Sequence, residues 1–552
     1  MRTSILLVLC LSSLALGCSN TPSSSEQSDG GVTADGAATS CAPGATLGAD
    51  DVLTESGVVR GAVTDAVRVW KGVPYAKPPI GDLRWKLPEK YGCFPNGLYD
   101  ATSYGALCPQ YGQDGGVVGN EDCLTLEVWQ PTTPGAPATG RPVMVFIHGG
   151  GHEAGSATST YLNGAKLAAA QGNIVVSLEY RLGPFGFMAH PALSAEGGMT
   201  KSGDYGMHDQ IFALQWVKDN IVGFGGDPSK VLLFGESAGG ESVCRIIASP
   251  LTPGLFQSAI IESGPCTAHT LDKAEQTGVT IATKVGCTDT TSTACLRGKS
   301  TAELMAGFAP LTNLSSQVLG LTFDGVIEGY AVPDLPRTTI TSGNYHAVPT
   351  LVVSNANELS KGVPNIMTEA QFRAGVATFL GTAGTMAMVD KVTAQYASPA
   401  NYPTWKQSYI QAISEGTIIC AGRADALAMS QHGGKPTYRA IFGDVLDKAT
   451  PAIAATGSFH GSELLWVFDS FDSAPGLNAL VGDGDKKTVT AMQTSWSAFA
   501  ATQTPTSAIV PAWPPYVPNS EQVIYFRDGA VVEADPFTAN CEFWQALSAG
   551  SN

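Results

Sequence analysis

Gly235-Glu236-Ser237-Ala238-Gly239 sets one hydroxyl between two glycines. A serine hydroxyl becomes a nucleophile when a neighbouring base takes its proton and a carboxylate orients that base. The chemistry this implies is acyl transfer, with an ester or a related carboxyl derivative as substrate. Among the eight histidines, His148, His152, His190 and His208 precede the serine. His269, His346, His432 and His460 follow it. The five-residue pattern alone is weak in a chain with 63 glycines, so its context has to decide.

The elements around it supply that context. Val231-Leu-Leu-Phe234 reads as a buried strand, and Glu241 to Ile247 reads as a helix. Strand, sharp turn and helix in that order expose the serine at the carboxyl end of a sheet. The turn leaves room for little beside it, and Gly235 and Gly239 give that room. A second strand, Val143–Ile147, ends in His148-Gly149-Gly150-Gly151-His152. The N–H groups of Gly150 and Gly151, with that of Ala238 directly after the serine, are the candidate donors to a developing oxyanion. A third strand, Leu351–Asn355, leads to Glu358 as candidate acid, and Asp324 and Glu328 compete with it on chain order.

The ends of the chain bound its location. Met1-Arg2 followed by an apolar run from Ile5 to Gly17 has the order of a secretory signal and is too short to span a bilayer. Leu14-Ala-Leu-Gly-Cys18 resembles the lipobox of bacterial lipoproteins, which makes Cys18 a lipidation site; ordinary cleavage and release is the alternative. The reading is therefore a signal peptide over 1–18, a flexible Ser/Gly/Asp-rich tether over 19–44 and one large catalytic domain over 45–552. Export, with a lipid anchor at the cell envelope or else secretion, follows. A formal net charge of −17 argues against nucleic acid or anionic lipid as partners. It says little about a small neutral ester, and oligomeric state is left open.

The motifs, taken together, resemble the type-B carboxylesterase/cholinesterase family of α/β-hydrolases. They include Gly81-Asp-Leu-Arg-Trp85, Glu121-Asp-Cys-Leu-Thr-Leu126, and Phe224-Gly-Gly226 four residues before Val231–Gly239. The resemblance runs from about residue 50 to Ala546. It implies an α/β fold with a large, mostly parallel central sheet flanked by helices, and long loop and helical insertions around an active-site gorge. It also implies a triad of Ser237, Glu358 and His460, since Phe459-His-Gly-Ser-Glu463 matches the family's histidine segment. Leu359 stands where the family usually has glycine. By the same resemblance Glu236, Ser263 and Glu463 are buried neighbours of the triad, and Arg84–Glu121 and Arg181–Asp209 are scaffold ion pairs.

Twelve cysteines in an exported chain point to disulfides. With Cys10 lost in the signal and Cys18 lipidated, ten remain. The resemblance implies Cys108–Cys123, Cys287–Cys295 and Cys420–Cys541. Cys41 with Cys93 and Cys244 with Cys266 is the first choice for the rest, though sequence does not fix connectivity. No cysteine or histidine spacing suggests a metal site, and no cofactor is expected.

The resemblance has limits. Cholinesterases hold a quaternary ammonium over an aromatic face. Here the loop 109–122 is glycine-rich with Tyr111 as its one aromatic, and Lys361 follows the acid. After Ser263-Gly264 comes Pro-Cys-Thr-Ala-His-Thr, with no tryptophan to narrow an acyl pocket. The expected activity is hydrolysis of neutral carboxylic esters. A lipase or aryl-ester specialist, or a recognition module that has lost catalysis, are the other readings.

Overall fold

The computed structural model describes residues 41–64, 66–132, 139–198, 200–309 and 322–549. The signal, Cys18 and most of the expected tether lie outside these residues.

Among the described residues, eleven strands form the central sheet. In chain order they are β1 (Ala62–Thr64), β2 (Val67–Pro74), β3 (Thr125–Pro131), β4 (Arg141–Ile147) and β5 (Ile174–Leu178). They continue as β6 (Gly226–Glu236), β7 (Ser258–Glu262), β8 (Thr350–Asn355), β9 (Thr437–Phe442), β10 (Gln522–Phe526) and β11 (Ala530–Ala534). Their spatial order is β1-β2-β3-β5-β4-β6-β7-β8-β9-β10-β11. From β5 to β10 all neighbours run parallel. Antiparallel pairs close the two edges.

The central strands carry continuous apolar runs, such as Val143–Ile147 and Val231–Phe234, because helices cover both faces. Side chains alternate along each strand. Val143, Val145 and Ile147 of β4 and Val231 and Leu233 of β6 enter one core, with helix α1 (Tyr205–Asn220) supplying Ala213, Leu214 and Val217. Met144, Phe146, Leu232 and Phe234 enter the opposite core, where they meet Trp496 and Phe499. The nucleophile strand is thus packed from both sides.

Beyond the sheet, helices Glu369–Leu380, Met386–Gln395 and Trp405–Ser414 build a separate apolar cluster around Phe372, Val376, Val392 and Tyr409. A π-helical turn, Glu415–Ile419, joins this insertion to helix Cys420–His432. The disulfides are Cys41–Cys93, Cys108–Cys123, Cys244–Cys266, Cys287–Cys295 and Cys420–Cys541. Cys41 belongs to the stretch read as tether, so the bonded part of the chain reaches back before residue 45. Among the described residues no helix is long and apolar enough to cross a membrane.

Candidate active site

Strand β6 delivers Ser237 at its carboxyl end, directly before helix α2 (Ala238–Ala248). The turn between them is tight: Ser237 has φ 57° and ψ −126°, a conformation that costs a non-glycine residue energy. A Cβ on Gly239 would lie 2.0 Å from Ile147 O, so no other residue fits there. The Ser237 N–H donates to Glu262 O at 2.9 Å and fixes the turn against β7. The serine therefore sits at the amino end of α2, where the helix dipole favours negative charge.

His460 and Glu358 meet it from two other parts of the chain. Ser237 Oγ and His460 Nε2 are 2.7 Å apart, and His460 Nδ1 lies 2.7 Å from Glu358 Oε2. Glu358 is buried and anchored: its Oε1 accepts from Ser263 Oγ at 2.6 Å and from Asn355 N at 2.7 Å. The His460 N–H donates to Glu358 O at 2.9 Å. Leu359, the departure from the family pattern, is buried in the helical cluster, and its N–H donates to Ser414 Oγ at 3.0 Å. The two competing carboxylates are engaged elsewhere. Asp324 pairs with Arg245, and Glu328 accepts from the N–H groups of Tyr330, Ala331 and Val332.

Gly150 and Gly151 lie beyond β4, whose Ile147 is in register with Gly235 of β6. Gly150 has φ 113°, and a Cβ there would lie 2.1 Å from Ala154 O. Among the described residues, no acceptor takes the N–H of Gly150, Gly151 or Ala238. Three free donors beside an activatable hydroxyl can stabilise an oxyanion.

The electrostatics around His460 are unusual in density. Glu236 Oε1 lies 3.3 Å from His460 Nε2. Glu463 accepts from Asn355 Nδ2, and Glu262 accepts from Trp496 Nε1 at 2.7 Å. Burial opposes the imidazolium, but Glu236, Glu358 and Glu463 favour it more, and His460 is lifted above the ordinary histidine value. Burial also pushes Glu236 up to about 7 and Glu262 up to about 8. Near neutral pH Glu236 therefore carries a proton part of the time, which weakens its pull on His460.

The remaining histidines have other tasks. His190 caps a helix by accepting from Ala192 N, and His148 stacks on Tyr180 with ring centroids 4.5 Å apart. Tyr111 donates to Met305 O at 2.6 Å and packs on Phe308. Lys361 lies over the Phe459 ring. The ion pairs Arg84–Glu121 and Arg181–Asp209 are both made and both buried.

The cavity holding Ser237 and His460 is lined also by Gly151, Ala238 and Ser263. Sequence reasoning missed Glu241, Lys273, Thr417 and Ile418 of its lining, weighed Asp324 only as a triad acid, and read the segment holding Pro265, Thr267 and His269 only as lacking a tryptophan. Glu241 could have been found, since it stands one helical turn after the serine. Thr417 and Ile418 belong to the π turn, which no spacing rule announces. His152, Glu241 and Asp324 have one potential ligand atom each within 4.8 Å of the others, a spacing a cation could use. The cation already among them is the buried Arg245 guanidinium, which contacts all three.

A parallel sheet with a serine elbow, a facing histidine and an anchored acid defines an α/β-hydrolase. The chain matches the carboxylesterase family over residues 49–544 and belongs to that family. It is similar to para-nitrobenzyl esterase of Bacillus subtilis (strain 168), 32% identical over 496 residues, covering 88% of this chain and 96% of the relative. It is also similar to carboxylesterase 1C of Rattus norvegicus, 31% identical over 503 residues, covering 85% of this chain and 87% of the relative. A solved PNB esterase structure superposes with TM-score 0.75 at 30% identity, covering 90% of this chain and 99% of that one. The protein is an enzyme, a carboxylic-ester hydrolase.

Proposed function

We propose that the enzyme cleaves carboxylic esters of modest size, neutral ones included, through an acyl-enzyme on Ser237. The observation that carries this is the unbroken contact from Ser237 Oγ through His460 to Glu358, with 2.7 Å at each step, opening into a cavity. His460 Nε2 takes the hydroxyl proton as Oγ attacks the ester carbonyl. The carbonyl oxygen becomes an oxyanion facing the N–H groups of Gly150, Gly151 and Ala238. As the C–O bond to the alcohol breaks, His460 returns the proton to the leaving oxygen. Water then repeats the sequence and frees the acid. Glu358 holds the imidazole in orientation and balances its positive charge. No metal or cofactor takes part in any of these steps.

The test is hydrolysis of p-nitrophenyl esters from acetyl to palmitoyl, beside Ser237→Ala. A short-chain optimum that vanishes in the variant supports the esterase, and a long-chain optimum supports a lipase instead. The name of the Bacillus relative favours an aromatic alcohol as a second reading, which p-nitrobenzyl esters in the same assay address. No turnover of any ester by folded protein would revive the recognition module.

We further infer that the mature enzyme is exported and held at the cell envelope by a lipid on Cys18, with residues 19–40 as tether. The supporting feature is the lipobox-like Leu14–Cys18 behind an apolar leader. Detergent phase partitioning of cell fractions, with Cys18→Ala as control, tests it. Unchanged partitioning in that variant would favour release.

A further inference from the structure

One wall of the active-site cavity carries charge that the proposed hydrolysis leaves unused. Glu241 and Asp324 both line the cavity, and Arg245 lies behind them, 1% exposed. The guanidinium is fully committed. Its Nε donates to Thr267 O at 2.8 Å, and its Nη1 donates to His152 Nε2 at 3.2 Å. Its Nη2 is shared between Glu241 Oε2 at 3.3 Å and Asp324 Oδ1. One oxygen of each carboxylate is thereby engaged. Glu241 Oε1 and Asp324 Oδ2 are left with no hydrogen bond among the described residues, Oδ2 lying 3.9 Å from His269 Nε2.

Two carboxylates share one guanidinium, so with both ionised the wall would hold one negative charge more than its buried cation offsets. His152 does not offset it: the ring is fully buried, burial and Arg245 push it down to about 3, and its Nδ1 lies 3.8 Å from Glu241 Oε2. Lys273 stands on the exposed rim and gives its hydrogen bond to His269 Nε2 at 2.9 Å. Burial, with Asp324 beside it, pushes the Glu241 carboxyl up to about 8. Near neutral pH Glu241 therefore holds a proton much of the time, and a cation entering the cavity favours its loss. Carboxylate oxygens without a hydrogen bond, one on a carboxyl that ionises when a cation approaches, suit an ammonium group.

We propose that Glu241 and Asp324 form a subsite for an ammonium group on the acyl part of the ester. This rests on the acyl-enzyme reading and narrows its preferred substrate from esters of modest size in general to esters of amine-bearing acids. The acyl carbon becomes bonded to Ser237, and Glu241 stands one turn along the same helix, its N–H donating to Ser237 O at 2.9 Å. The alcohol departs on the His460 side, since His460 gives it a proton. The proposal places the acyl chain away from His460, running from the serine toward the two carboxylates.

The test compares p-nitrophenyl 6-aminohexanoate with p-nitrophenyl heptanoate, in which a methyl replaces the ammonium. The readout is the ratio of their kcat/KM values within each enzyme, which a partly unfolded preparation does not change. Wild type should prefer the ammonium ester by roughly ten-fold. Glu241→Gln should bring the ratio to about one or below, and Lys273→Met, which removes a repelling charge, should raise it. A wild-type ratio of one or less overturns the subsite, as does a ratio that Glu241→Gln leaves unmoved. Should Glu241→Gln not fold, hexylammonium must inhibit wild type more strongly than hexanol, and equal inhibition overturns the proposal. Turnover of heptanoate without ammonium preference defeats the subsite alone. Turnover of neither ester defeats the acyl-enzyme reading beneath it.

Discussion

Ser263 and Glu358 are joined by a 2.6 Å hydrogen bond in which the serine hydroxyl donates to Oε1, leaving Oε2 for His460. The carboxylate is thus held by a donor on each oxygen, and its plane sets the plane of the imidazole. Ser263→Ala removes one constraint and keeps the Asn355 N–H. Loss of a hydrogen bond to a charged group predicts a kcat roughly ten-fold lower with KM little changed. Steady-state kinetics on p-nitrophenyl acetate measure it. An unchanged kcat would mean that the backbone donor alone orients the acid.

Gly150→Ala tests the oxyanion donors. The new methyl would lie 2.1 Å from Ala154 O, at a φ that only glycine adopts easily. The loop must shift, and its N–H groups shift with it. A fall on the order of 100-fold in kcat is expected, the usual cost of losing one such donor. Circular dichroism matching wild type would place that loss in the loop and not in the fold.

Glu236→Gln should move the acid limb of the kcat/KM–pH profile downward by about one unit. The sign follows from charge: the Glu236 carboxylate favours the imidazolium of His460, so its removal lets His460 lose its proton at lower pH. Since His460 is raised to about 10, initial rates on p-nitrophenyl acetate between about pH 6 and 11, less the uncatalysed rate, give the limb. A limb that stays in place would show Glu236 to be neutral across the range.

Glu262→Gln addresses stability. Burial raises the folded carboxyl to about 8, above its unfolded value of roughly 4.3. The folded state binds this proton more tightly, so its contribution is full below the unfolded value and is lost as pH climbs toward about 8. Glutamine keeps an acceptor for Trp496 Nε1 and has no charge to bury. The difference in Tm between variant and wild type should therefore grow from about pH 5 to 9, by roughly 2 °C or more. A constant difference would mean that Glu262 titrates normally.

Much of this site could be read from the chain because its parts are local. The elbow is one strand–turn–helix segment, and its small residues are dictated by the close passage of Gly239 against Ile147 O. Glu358 was readable from its place after a strand, while His460 needed the resemblance, since four histidines follow the serine. The charged wall was not legible. Glu241 and Arg245 look like a solvated i, i+4 pair on a helix, and only the arrival of Asp324, 79 residues beyond Arg245, makes them a buried network. The π turn was equally hidden, because its extra residue per turn leaves no periodic trace.

The elbow and the glycine loop hang from neighbouring strands whose register pairs Ile147 with Gly235. The cavity wall comes from separate places: one helix, the segment after β7, the stretch holding Asp324 and the π turn. Variation in those places can retune which acid is accepted while the paired strand ends stay untouched. The molecule keeps its engine and its lock on different mountings, and a lineage carrying this scaffold can change the lock without rebuilding the engine.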